Sequence, residues 1–201
     1  TGGSGGARGW STFHHNLDDG KVLFMDTSAD HATEANFWHN NGGITDSLVY
    51  VGADYNTGED GEVYMNFAWH GVPGLQQFGK YPGNGSTDGC YVHLGFRPAL
   101  IFLKMYSGAD DNWAIMTPKL NSPLMNNSGY ASNVSSHLRA DATGGEYNPG
   151  GSPAVEVDFL ANGFKHKNSS GQVNGDGNWY IYCAWAEAPL NNLYGGVPNA
   201  R

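Results

Sequence analysis

Charge is scarce in this sequence: Asp, Glu, Lys and Arg make up only 14% of its 201 residues. A helical bundle needs Ala, Leu, Glu and Lys in quantity, so that class is excluded. Basic residues are scarcer still, 10 against 19 acidic, for a net charge of -9. Phosphate neutralisation dominates nucleic-acid affinity, so nucleic acid is excluded as a partner, and an anionic membrane surface with it. Long apolar runs are missing. The longest in the middle of the chain, Ala99 to Leu103, is far too short to span a bilayer. Two cysteines, Cys90 and Cys183, are too few for a disulfide scaffold. Both sit in apolar, strand-like runs and read as buried free thiols. The start, Thr-Gly-Gly-Ser-Gly-Gly-Ala-Arg, is neither a signal peptide nor an initiator methionine. The expectation is that something was removed or that this is part of a longer polypeptide.

Turn formers and aromatics are abundant instead: 30 Gly, 9 Pro, 20 Asn, and 13% aromatic residues. Aromatic content excludes disorder. Many turns with many rings means short strands joined by tight loops. Strands are predicted at 10–14, 21–25, 48–55, 62–69, 90–94, 99–105, 113–117, 155–160, 163–167 and 179–186, separated by Gly-Asp, Asn-Gly and Asp-Gly turns. In 62–69, Val63, Met65, Phe67 and Trp69 share a face. In 179–186, Trp179, Ile181, Cys183 and Trp185 do. Rings on both faces fit strands inside a sandwich or strands with a contact surface outside. Residues 28–38 could form a turn or two of helix, and no long helix is predicted. The fold class is all-β, most simply packed antiparallel sheets.

The chain also repeats itself. GEDGEVYMNFAWH around Asp60-Gly61 matches NGDGNWYIYCAWAE around Asp176-Gly177, which places Ala68 on Ala184 and Trp69 on Trp185. Trp10 with Leu17 matches Trp113 with Leu120. The spacing grows between these anchors, which puts about 13 extra residues in the second copy, expected in the polar stretch 140–153. Residues 78–113 form a front portion that the first copy lacks, so roughly 25 residues are expected ahead of Thr1. The domains are then 1–74, a truncated first β-repeat, and 75–201, a complete second one with a C-terminal tail. Without partner strands the first half exposes a sheet edge unless another segment or subunit covers it. Trp69 and Trp185 are expected at equivalent inward positions.

No catalytic, cofactor or metal site is predicted. The glycine run 83–89 lacks the Lys-Ser/Thr ending and helix start of a phosphate loop. Asp54-x-Asn56-x-Gly58-x-Asp60-Gly61-Glu62 resembles a calcium loop only in part and reads as a hairpin turn. His14 and His15, on a presumed strand, point to opposite faces and cannot share a metal. His31, His39, His70, His93, His137 and His166 are scattered without ligand spacing. Glu59, Glu62, Asp158 and Glu187 are the carboxylates a glycosidase pair could draw on, but nothing marks them as convergent. There is no Gly-x-Ser-x-Gly elbow, so an enzyme is not expected. Glycan or partner contact fits best at Phe37, Trp38, His39, Asn40 and Asn41, where rings and amides cluster. The plainer reading makes Phe37 and Trp38 core residues under a long loop.

An ordered set of runs carries a resemblance. It comprises Phe78-Gly79-Lys80-Tyr81-Pro82-Gly83-Asn84-Gly85-Ser86, Asp88-Gly89, Gly95-Phe96-Arg97-Pro98-Ala99, Asn112-Trp113, Asp158-Phe159-Leu160-Ala161-Asn162-Gly163-Phe164, Ala186-Glu187 and the closing Asn199-Ala200-Arg201. This resembles a repeat domain of unknown function in structural proteins of tailed bacteriophages, marine and cyanobacterial phages in particular. The likeness covers about 78–201 well and 7–70 as a truncated copy. It implies lectin-like or jelly-roll-like antiparallel β-sandwich modules in tandem, on a tail fibre or similar appendage at the virion surface. It implies assembly and host attachment as the function, no catalytic residues and no cofactor. The implied partners are other virion proteins and a host-surface glycan or protein. A homo-oligomer is expected from the open edge and the surplus of rings; the trimer is implied by the resemblance alone. The alternatives are a carbohydrate-binding module and a capsid decoration protein.

Overall fold

A computed structural model describes residues 8–18, 20–33, 37–38, 45, 47–120, 136–147 and 155–188. The protein is all-β with antiparallel pairing throughout its ladders. Three sheets form. The first is β1 (Ser11–Thr12), β2 (Lys21–Phe24) and β3 (Ala32–Thr33), in that order. The second runs β4 (Gln76–Pro82), β10 (Trp179–Ala186), β6 (Pro98–Ser107), β7 (Ala114–Met116). The third runs β5 (Tyr91–His93), β9 (Gly163–His166), β8 (Val157–Leu160). One helical turn, α1 (Gly171–Asn174), lies between β9 and β10.

The last two sheets face each other as a sandwich. Val92, Val157, Phe159 and Phe164 from one meet Tyr81, Ile101, Leu103, Met105, Tyr180, Tyr182 and Ala184 from the other. Each large side chain so buried contributes roughly 1.5–3 kcal/mol. β10 is the central strand and is apolar on both faces. Its odd-numbered face buries Ile181 with Trp113, Leu17 and Leu23, so the first half of the chain covers the outside of the four-stranded sheet. Polar bonds reinforce that cover. Lys104 is buried and donates to the carbonyls of Ser28 (2.7 Å) and Asp111 (2.5 Å). Trp113 Nε1 donates to Phe24 O at 2.9 Å.

Several expectations change. β4 escaped notice because Gly79 and Pro82 read as turn residues. Gly79 is there because the Tyr182 ring lies across it: a Cβ would come within 2.5 Å of the Tyr182 hydroxyl. Over 28–33 there is β3 and no helix. Those polar groups go to tertiary partners instead, His31 Nδ1 to Tyr106 O among them. His14 and His15 stack at 4.7 Å rather than diverging, because the strand ends at Thr12 and no alternation is imposed beyond it. Residues 48–55 carry only isolated bridges, Trp38 to Val51 among them, and 62–69 carries no ladder at all. Trp69 is therefore not inward: it is 58% exposed, and Trp185 is half-buried.

Hydrogen bonds around the two Asp-Gly turns correspond one to one, 116 residues apart. Tyr64 Oη donates to Tyr55 O (2.8 Å) and accepts from Glu59 N (3.1 Å). Tyr180 Oη donates to Gly171 O (2.5 Å) and accepts from Gly175 N (2.8 Å). Asp54 Oδ1 accepts from Asn56 N as Ser170 Oγ accepts from Gln172 N. Gly61 and Gly177 both take positive φ, 81° and 72°. Upstream, Thr12 opposite Leu23 matches Ile115 opposite Leu138, and Val22 opposite Ala32 matches His137 opposite Tyr147. The matched spacing rises from 103 at Thr12 and Ile115 to 115 at Val22 and His137. Most of the extra residues expected in 140–153 therefore fall earlier, in a stretch that includes 121–135, outside the described residues.

Cys90 and Cys183 are free thiols, as the apolar runs suggested. Burial pushes them up to about 11 and about 12. The thiolate is the reactive form, so each should react with a thiol reagent at pH 8 about a hundred-fold or more slower than an ordinary thiol near 8.5. Ellman's reagent should show both appearing only with denaturant. A fast native phase would contradict their burial.

Candidate contact surface

The largest exposed apolar feature lies where 62–69 was expected to form a strand. The segment has no ladder partner among the described residues, and every residue in it but Tyr64 is exposed. Val63 is 97% exposed and Met65 79%, with Phe67 and Trp69 more than half exposed. Trp10 joins them from the end of the chain before β1, 61% exposed. Three of these residues make a row of rings. Trp10 stacks on Phe67 at 6.5 Å and 21°, and Phe67 on Trp69 at 6.1 Å and 15°. The row continues onto the outer face of the four-stranded sheet, where Trp69 meets Trp185 edge-on at 6.2 Å and Trp185 meets Phe78 and Phe102. Exposed rings in such a row are unusual on a solvated surface and mark a contact region.

Arg8 fixes the loop ahead of this segment. Its guanidinium pairs with Glu59 at 2.7 Å and Glu62 at 3.7 Å, bonds Tyr55 O and the Tyr64 hydroxyl, and lies 5.5 Å from the Tyr64 ring centre. With Asp54 capping its own turn, the acidic set that resembled a calcium loop is used in holding the chain. Among the described residues no cluster of His, Cys, Asp and Glu is placed to hold a metal. Glu187 pairs instead with Arg97 at 3.1 Å, on β6's approach, while Glu59 and Glu62 share Arg8, so these three carboxylates singled out for a glycosidase pair are held in ion pairs. Asp158 lies on β8, its Oδ1 buried without a protein partner. The run 83–89 is a structural loop. Asn174 grips it, its side chain bonding Asn84 N and Oδ1 and Ser86 O, and Gly83 passes so close to Gly175 O that no Cβ fits.

The cluster singled out for glycan contact divides. Phe37 is buried, edge-on to Phe24 at 5.6 Å, and its carbonyl accepts from Gly52 N. Trp38 is half-buried against Phe13. Phe37 is thus a core residue, as the plainer of the two readings expected, and Trp38 is half-buried beside it. His39, Asn40 and Asn41 lie outside the described residues. The exposed row of Trp10, Phe67 and Trp69 was missed as a site because its alternation looks like that of any half-buried strand.

Two histidines are held neutral. His14 Nε2 donates to Tyr182 O at 3.3 Å, while Nδ1 accepts from Asn16 N. Burial, with His15 beside it, lowers it to about 4. His166 is stacked on Tyr81 and edge-on to Phe164, neither nitrogen has a protein partner, and burial lowers it to about 3.

No curated protein matches this chain, and neither does any solved structure. A family described as a domain of unknown function, DUF7483, matches residues 3–189. That span takes in both sandwich sheets and the exposed ring row, and the chain belongs to the DUF7483 family.

Proposed function

We propose that the chain is a non-enzymatic structural part of a bacteriophage particle, in a tail fibre or similar surface appendage, acting in assembly and host attachment. The particle comes from the resemblance of the ordered runs. The contact role is carried by one observation, the exposed row of Trp10, Phe67 and Trp69 beside Val63 and Met65. Such a row loses area from water only when something docks on it, at roughly 25 cal/mol per Å². Assembly as a homo-oligomer, a trimer by the resemblance, is part of this proposal. Antibody raised against the chain and carried on gold should decorate the tail appendages of the virus that encodes it. Label confined to the capsid lattice would replace this with a decoration protein, and no label on intact or opened particles would end the reading.

The row also favours a second reading, carbohydrate binding. Near-parallel rings spaced 6.1 and 6.5 Å apart suit successive sugar faces. On a glycan array the Trp10→Ala/Trp69→Ala double variant should then lose at least tenfold in binding with its melting curve kept. An array showing no bound glycan for the parent chain would refute this second reading.

A further inference from the structure

We propose that Val63–Trp69 is an acceptor strand, built to lie between two strands of the β4 and β6 kind, each antiparallel to it, supplied by a segment other than the described residues. This rests on the reading of the exposed row as a contact surface, and it names what binds there. The particle itself plays no part in the argument.

The protein itself shows the filled version. The bonds from Asp54 to Tyr64 recur from Ser170 to Tyr180, so Tyr64 stands to its turn as Tyr180 does to its own. From Tyr180 the chain runs into β10, where every residue from Trp179 to Trp185 pairs on both sides. Tyr180 faces Tyr81 and Met105, Cys183 faces Phe78 and Phe102, and Trp185 faces Gln76 and Leu100. Tyr64 lies in Val63–Trp69, which has neither neighbour among the described residues. The same lack appears one strand over. β9 pairs with β8 on one side and β5 on the other. The matching stretch near Val51 has its bridge to Trp38, and among the described residues no strand stands beside it as β5 stands beside β9.

The sequence of the acceptor supports an interior place. Val-Tyr-Met-Asn-Phe-Ala-Trp has no charge and no proline, two of the devices that natural edge strands use to stay unpaired. A second copy of the same strand would satisfy one side only, and a second copy's β4 and β6 are already held by its own β10. The register makes a further statement about the occupant. Gly79 is required opposite Tyr182 because the ring lies across it. Asn66 stands at the Tyr182 position, so the incoming strand can carry a side chain there.

Hydrogen exchange tests this on the full chain with its own residues 75–107, the β4–β5–β6 stretch, joined ahead of residue 1 through a flexible linker. The amides of 63–69 should slow at least about a hundredfold, the tryptophan emission should shift to the blue, and the mass should stay that of one chain. Phe67→Pro in the same fusion removes an N–H from the ladder and should abolish the protection. Should the fusion fail to fold, the 75–107 fragment added to the unfused chain gives the same readout. Unprotected amides in the folded fusion, or with the fragment in excess, would overturn the proposal. Protection in the unfused chain that rises with concentration would overturn it in favour of a second copy. Neither result bears on where gold label falls on a particle, so the two readings fail separately.

Discussion

Trp113→Ala should lower the melting temperature by about 6–20 °C. Trp113 is almost fully buried, packed among Leu17, Leu23 and Ile181, with its indole N–H on Phe24 O. Truncating a buried tryptophan costs about 3–5 kcal/mol, and at this chain length each kcal/mol is worth about 2–4 °C. The loss should be uneven. Leu17 and Leu23 come from the first half of the chain and have few other buried neighbours, so amides of β2 should exchange faster while those of β5, β8 and β9 keep most of their protection. Trp69→Ala is the matched comparison. Its ring is exposed, so the change should stay within about 0.5–1 kcal/mol. Equal losses at the two positions would show that Trp113 does not tie the halves together.

Acid should weaken the fold from about pH 6.5 downward, beginning above the range where ordinary carboxylates protonate. An imidazole ordinarily titrates near 6.5, but His14 is held down to about 4 and His166 to about 3. Below pH 6.5 the unfolded chain takes up both protons and the folded chain takes up neither. The unfolded state is the one that gains. The stability is fully present above pH 6.5 and is lost as pH falls, His14's share down to about 4 and His166's down to about 3. Each imidazole removes about 1.4 kcal/mol per pH unit inside its window. The Asp111 carboxyl, raised by burial, works against this only where it begins to protonate. Urea midpoints at pH 7, 5 and 4 should fall steadily. His166→Phe keeps a ring against Tyr81 and should shed about half of the slope between 6 and 4. A midpoint unchanged from pH 7 to 4 would contradict both buried imidazoles.

Much of this fold was legible in the sequence because its strands obey period two. β2, β5 to β10 and their turns follow from alternation and from Asp-Gly and Asn-Gly pairs, and the apolar runs around Cys90 and Cys183 marked two free thiols, which the structure leaves half-buried. The failures have separate physical causes. β4 carries Gly79 and Pro82, which argue for a turn unless one knows that a tyrosine from another strand needs the space. The segment 62–69 has a strand's alternation, but a ladder needs neighbours, and alternation does not report them. His14 and His15 were placed by the rule for strands, two and three residues beyond the end of one. At the candidate surface, composition located an excess of rings without saying which were outside. Phe37 and Trp38 look as exposed in the sequence as Trp10 and Phe67, and only packing against Phe24 and Phe13 separates them.

The central strand of the four-stranded sheet is the last one made. β10 joins β4 to β6, yet it follows β6 in the chain by some seventy residues. On a ribosome adding about 5–20 residues per second, β4 and β6 spend roughly 4–16 s in company but unable to pair with each other, since their places flank a strand not yet translated. Through that interval Phe78, Phe102 and Leu103 have no sheet to close over them, which makes the nascent chain a ready client for a chaperone and crowded synthesis a setting for exchange of β10 between copies. Late, non-local closure of this kind is slow even once the strand arrives.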